Sequence, residues 1–165
     1  METNRLSDTE TRRKFEELVN DIKVCMMVTN LSARPLSAVP MYAQEVDIHG
    51  NIWFLSDSQS DHNEHLLEDS YCQLLFSDAK RNFLSVYGKA EVGFDKDIIH
   101  KLYSPMDNAY FDGKDDPRIS TIRFLPEQAV YWSTDENQLI TLFKMGMAAV
   151  TGKKQDIGKS GRINL

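Results

Sequence analysis

The 165-residue chain predicts a mainly β fold: an antiparallel barrel with helices at its periphery, in a single domain over 1–165. Three features point there. Six or seven short apolar or alternating runs follow one another, most separated only by turn-like clusters, the pattern of consecutive hairpins. Helical periodicity is confined to a few segments. Strands and helices do not alternate regularly, which excludes a doubly wound parallel sheet and leaves a barrel as the natural class.

Each element has its own signal. Ser7 and Glu10 form an S-x-x-E capping box, and Phe15, Leu18, Val19 and Ile22 follow at helical spacing, so an amphipathic helix covers about 8–22. The barrel then occupies about 23–133. The apolar stretch 23–30 is a buried strand. The stretch 34–46 is extended, and Pro35 and Pro40 place it at an edge or a bulge. A turn over 47–51 leads into a strand over 52–56, completing a hairpin. Residues 60–69 form a short helix with Leu66 and Leu67 inward. The strand 71–77, the turn 78–82 and the strand 83–94 come next, with Leu84, Val86, Gly88, Ala90, Val92 and Phe94 on one face. A helix over 95–102 and a loop over 112–117 precede strands 118–125 and 128–133, with a turn at Pro126. Leu139, Leu142, Phe143, Met147 and Val150 sit at helical spacing and predict a C-terminal helix over about 138–150. A Gly- and Lys-rich tail, 151–165, is expected to be loosely ordered.

Bulk properties narrow the function. A net charge of −6 and a pI near 5.2 argue against broad nucleic-acid binding, yet a local pocket can still take a small anion. No apolar run approaches the ~20 residues of a membrane span, and the N-terminus lacks the apolar core of a signal peptide. Cys25 and Cys72 lie in apolar runs and read as buried free thiols, which fits the reducing cytoplasm. His62 and His65 stand in the order H-N-E-H rather than H-E-x-x-H, and no third histidine is near, so no metal is expected.

The segment 50–69, "GNIWFLSDSQSDHNEHLLED", carries the candidate site. An apolar strand ends in Ser56 and Asp57, and Ser60 stands where it can cap the next helix. A helix start offers unpaired N–H groups and the positive end of a dipole, both suited to phosphate. His62 falls in the first turn, where a neutral imidazole still donates one hydrogen bond. The plainer alternative is a capped helix with an exposed histidine.

The order of pieces resembles a known family. Helix and strand are followed by "RPLSAVPM", "DIHGNIWFLSD", a short helix, "FLSVYGKAEV", "STIRFLPEQAVYW" and "LFKMGMAAVTGKK". Over about 8–155 this is similar to the general stress protein branch of the pyridoxamine 5′-phosphate oxidase-like family. The resemblance implies a split β-barrel of the FMN-binding type and a homodimer with two equivalent FMN sites between the subunits. It implies that Leu55, Ser56 and Asp57, at the strand end, meet the flavin phosphate through hydroxyl and backbone groups. Ser60 and the first-turn residue His62 would complete that cradle. Val39, Pro40 and Met41 would run beside the isoalloxazine ring, and Trp132 would pack on the cofactor from the other subunit.

Two basic positions of the family differ here. Val39 stands where the family commonly has arginine, and His62 where it most often has lysine. Each lost charged hydrogen bond costs ~1.5–3 kcal/mol, unless Arg34 or Lys80 compensates. The Arg-x-His of true pyridoxamine-phosphate oxidases is absent from "NQLITLFK", so oxidation of pyridoxine phosphates is not expected. The expected function is an FMN-dependent oxidoreductase acting with a small-molecule redox partner. The alternative is a ligand-binding stress-response module without turnover.

Overall fold

A computed structural model describes residues 8–133 and 138–143. Helix α1, Asp8–Ile22, buries Phe15, Leu18 and Val19, while i,i+4 ion pairs Arg12–Glu16 and Arg13–Glu17 hold its outer face. The strands are β1 Val24–Thr29, β2 Ser37–Val46, β3 Ile52–Asp57, β4 Tyr71–Ser77, β5 Phe83–Gly93, β6 Ile119–Ser133 and β7 Gln138–Phe143. Helix α2, Asp61–Glu68, joins β3 to β4; helix α3, Lys96–Leu102, follows β5. A short 3-10 turn over Pro105–Ala109, not among the sequence expectations, starts at Pro105, and Ser104 and Asp107 cap it reciprocally.

All pairings are antiparallel, in the order β3-β2-β1-β4-β5-β6-β7, and an additional β3–β6 ladder closes β1 to β6 into a six-stranded barrel. Alternation fills the interior: Met27, Phe54, Leu74, Phe76, Ile122 and Phe124 are fully or almost fully buried. A smaller outer cluster of Leu55, Ile99, Leu102, Phe111 and Ile119 fastens α3 to the outside of β3. The predicted edge character of the second strand holds for half of it. β3 pairs with β2 only from Ala43 onward, so the part around Pro40 has β1 as its ladder partner.

Four sequence expectations are corrected. Pro126 does not turn the chain; β6 runs through it as one fifteen-residue strand. Position 126 falls after the last β3 partner, opposite Phe124, and before the first β7 partner, opposite Gln128, so its missing N–H breaks no ladder on that side. On the other side it meets Gly88, where the β5 register shifts. The expected C-terminal helix is a strand where it is described: 138–143 pairs with the second half of β6. Six residues fit period 2 as well as period 3.6, and the free edge of β6 decides between them. Met147, Val150 and the tail lie outside the described residues, as does Ser7 of the capping box. Leu67 is 71% exposed, because the narrow inner face of α2 is taken by Asn63 and Leu66, three positions apart. Phe94 leaves the β5 face and is exposed, since the strand ends at Gly93 and Asp95 caps α3.

Candidate functional site

The end of β3 and the start of α2 build a polar cluster at one end of the barrel. Ser56 lies on the inward face of β3, next after Phe54, but at the mouth, where α2 rather than another apolar side chain covers it. Its hydroxyl donates to Asn63 Oδ1 at 2.9 Å; Asn63 Nδ2 donates to Ser120 Oγ at 2.6 Å; Ser120 Oγ donates back to the Ser56 carbonyl at 3.1 Å. Asn63 and Ser120 are buried, so this closed ring of bonds fixes α2 onto β3 and β6.

Ser60 occupies the N-cap position of α2 with extended backbone, but its hydroxyl makes no cap bond. It donates instead to the Asp57 carbonyl at 2.6 Å. The first-turn amides, which have no partner within a helix, are therefore not occupied by the Ser60 side chain. His62 Nε2 lies 2.6 Å from Ser56 Oγ and 3.1 Å from Ser60 Oγ. Both hydroxyl protons are already directed elsewhere, so the network assigns the proton to Nε2, which donates to the two oxygens. Burial pushes the His62 pKa down, helped by His65, while the Asp61 and Asp57 carboxylates act the other way; the net shift is downward. The ring is neutral at pH 7 in this arrangement.

The surroundings carry both signs. Asp57 Oδ1 accepts from the Gln59 amide, and Asp57 Oδ2 stands 3.5 Å from the Arg118 guanidinium. Arg118 also binds Asp116 at 2.8 Å and holds that carboxyl well below the usual carboxylate range. β1 ends beneath α2, with Thr29 Oγ1 2.9 Å from His65 Nδ1, which brings the paired start of β2 to the same end of the barrel.

The predicted residues thus divide. Ser56, Ser60 and His62 meet directly, with Asp57 beside them. Leu55 turns its side chain away into the outer cluster with α3, leaving only its backbone near the cradle. Val39 and Met41 face the barrel core, Met41 being buried there, while Pro40 is exposed on the outer face opposite Met26. Trp132 lies twelve positions along β6 from Ser120, ~40 Å of strand, and pairs with Phe83 at the far end. Within one chain it cannot reach the cradle. Arg34 lies in the β1–β2 connection at the cradle end, whereas Lys80 lies in the β4–β5 turn, ~20 Å of strand away from the α2 end of β4. Sequence reasoning missed Asn63, Ser120 and Arg118. Asn63 had a usable signal: a polar residue three positions before Leu66, on the inner face of the helix.

A barrel closed by β3 and β6, with a polar cradle between a strand end and a short helix, defines the class of protein. The model of the family described as pyridoxamine 5′-phosphate oxidase like matches residues 10–156, and the chain belongs to that family. It is 24% identical over 181 residues to Protein bli-3 of Neurospora crassa, covering 96% of this chain and 85% of that protein. Among solved structures, a Clostridium acetobutylicum protein related to general stress protein 26 of B. subtilis superimposes with TM-score 0.70 at 23% identity, covering 84% of this chain and 96% of its own. The general stress FMN/FAD binding protein of Xanthomonas citri gives TM-score 0.66 at 25% identity, with 76% and 89% covered. The fold is the split barrel that the sequence resemblance implied. Among the described residues no helix is long and apolar enough to cross a membrane.

Proposed function

We propose that this protein is a flavin-binding protein of the general stress type that holds FMN by its phosphate in the β3–α2 cradle. The observation that carries the reading is the convergence of Ser56, Ser60 and His62 at the α2 N-terminus. First-turn amides that the Ser60 side chain does not cap stand beside two hydroxyls and an imidazole, whose protons now serve Asn63, the Asp57 carbonyl and one another and would turn toward a phosphate monoester on binding. The name of the Xanthomonas citri relative, an FMN/FAD binding protein, supports it. Bound flavin would supply hydride or electron transfer, which makes the protein an oxidoreductase with a small-molecule partner. The chain's own residues then hold the phosphate and position the ring. No pyridoxine-phosphate oxidation is proposed, for want of the Arg-x-His pair.

The same reading makes the protein a homodimer. On the outer face of the barrel Met26 stands directly opposite both Pro40 and Leu75, and Val24 and Phe83 extend the patch; all are exposed. A second subunit there would cover an apolar surface unusual on a monomer. It would also supply the Trp132 that its own chain keeps far from its own cradle. The two buried free thiols suit a cytoplasmic location.

A second reading, a ligand-binding module without turnover, is favoured by one observation. Val39 packs against the core and brings no charge, while Asp61 adds a carboxylate beside His62. The test is the visible absorption of purified protein, with the mass of the ligand released on denaturation. Flavin absorption and an FMN mass support the proposal. Colourless protein that also fails an FMN titration overturns it in favour of the second reading.

A further inference from the structure

We propose that His62 makes the phosphate grip of this cradle pH-gated: the ligand is held while the imidazole carries two protons and is released as it loses one. The inference rests on the phosphate reading above and concerns its regulation. The geometry is specific. Nε2 is within hydrogen-bond distance of both cradle hydroxyls, so the ring lies inside the polar cluster rather than at its rim. Ser56 and Ser60 spend their own protons on Asn63 Oδ1 and the Asp57 carbonyl, and His62 is the one of the three whose charge changes with pH, a second ring proton adding both a positive charge and a further donor. The nearby guanidinium, Arg118, is engaged by Asp116 and Asp57, which offset its charge.

The groups facing the ring come from three elements. β3 contributes Asp57, α2 contributes Asp61, His65 and its N-terminal amides, and the segment entering β6 contributes Arg118 through its pair with Asp57. Without ligand, burial and His65 outweigh the two carboxylates, and the ring sits below its ordinary pKa. A phosphate placed against the ring adds up to two negative charges at contact distance and raises that pKa. The bound-state pKa then exceeds the free-state one, so binding takes up a proton. By linkage the affinity gained from the charged imidazole is fully present below the free-state pKa. It is lost as pH rises through the bound-state pKa, at a limit of about tenfold per pH unit. Phosphate monoester loses its own second negative charge below about pH 6, which sets the acid side of the window. A lysine in this place would hold its charge through the whole range.

The test is fluorescence titration of the flavin-free protein with FMN and with riboflavin, which lacks the phosphate, from about pH 6 to about pH 9. Wild type, His62→Gln and His62→Lys are compared. The expected result is an FMN Kd that rises about tenfold or more toward alkaline pH while riboflavin stays flat. The rise should be absent from His62→Gln and deferred beyond the range in His62→Lys. A calorimetric measurement on wild type alone, in buffers of different ionisation enthalpy, guards against misfolded variants. Proton uptake on FMN binding near neutral pH is expected, and none overturns the proposal. An FMN preference over riboflavin with an unchanged pH profile in His62→Gln overturns the gating and leaves the cradle standing. Equal affinities for FMN and riboflavin at every pH would remove the cradle reading and the gating with it.

Discussion

At the scale of residues, the polar groups between β3 and α2 satisfy one another, and that mutual bonding fixes the shape of the proposed cradle. Asn63 is the keystone, since its amide accepts from Ser56 and donates to Ser120. Asn63→Ala strands both partners under α2, and we expect a loss of ~1–3 kcal/mol in urea unfolding together with weaker FMN binding. Asp47 plays a similar part in the β2–β3 turn. Burial pushes its pKa up, but bonds from Trp53, Asn51 and His49 prevail and hold it below the ordinary value. Its folded pKa lies under the unfolded one, so its contribution is present above about pH 4 and is lost as pH falls through the folded value. The stability gap between wild type and Asp47→Asn should therefore close below about pH 4, as urea midpoints at several pH values would show. Ser56, Ser60 and His62 were legible in the sequence because a strand end and a helix start lie within a few residues of each other. Ser120 was not, since its bond to Asn63 spans 57 positions and only the β3–β6 ladder brings the two together.

At the scale of elements, the strands were read to within a residue or two wherever alternation was strong, as in β4 and β5. Failures came where a partner decided the outcome. Gln138–Phe143 was compatible with two periods until β6 offered an edge, and Pro126 was harmless only because it falls between two ladders. At Gly88, where the β5–β6 register shifts, there is no room for a side chain. A Cβ there would lie 2.2 Å from the Leu125 carbonyl oxygen, which is backbone and cannot move aside. Gly88→Ala should therefore destabilise the barrel by ~1–3 kcal/mol or more, visible as a lower denaturant midpoint. Ser85→Ala, on the outer face of the same strand, serves as the comparison and should cost less.

At the scale of the molecule, the two ends of β6 lie far apart. One lies under the α2 cradle and the other carries Trp132, ~40 Å of strand away. That separation was invisible in the sequence, where "STIRFLPEQAVYW" read as two strands and a turn. In the homodimer we propose, the partner's tryptophan would meet the cradle instead. We expect wild type to sediment as a dimer and a Met26→Asp, Leu75→Lys double variant to sediment as a monomer with reduced FMN occupancy. A monomeric wild type would contradict the proposed assembly. The claim on which the account turns is that the cradle grips a flavin phosphate. It is tested most directly by the affinities of FMN and riboflavin for wild type and for a Ser56→Ala, Ser60→Ala double variant. The account predicts that the variant loses FMN affinity by at least about tenfold while riboflavin binding is unchanged. An equal loss for both ligands, or none for either, would contradict it.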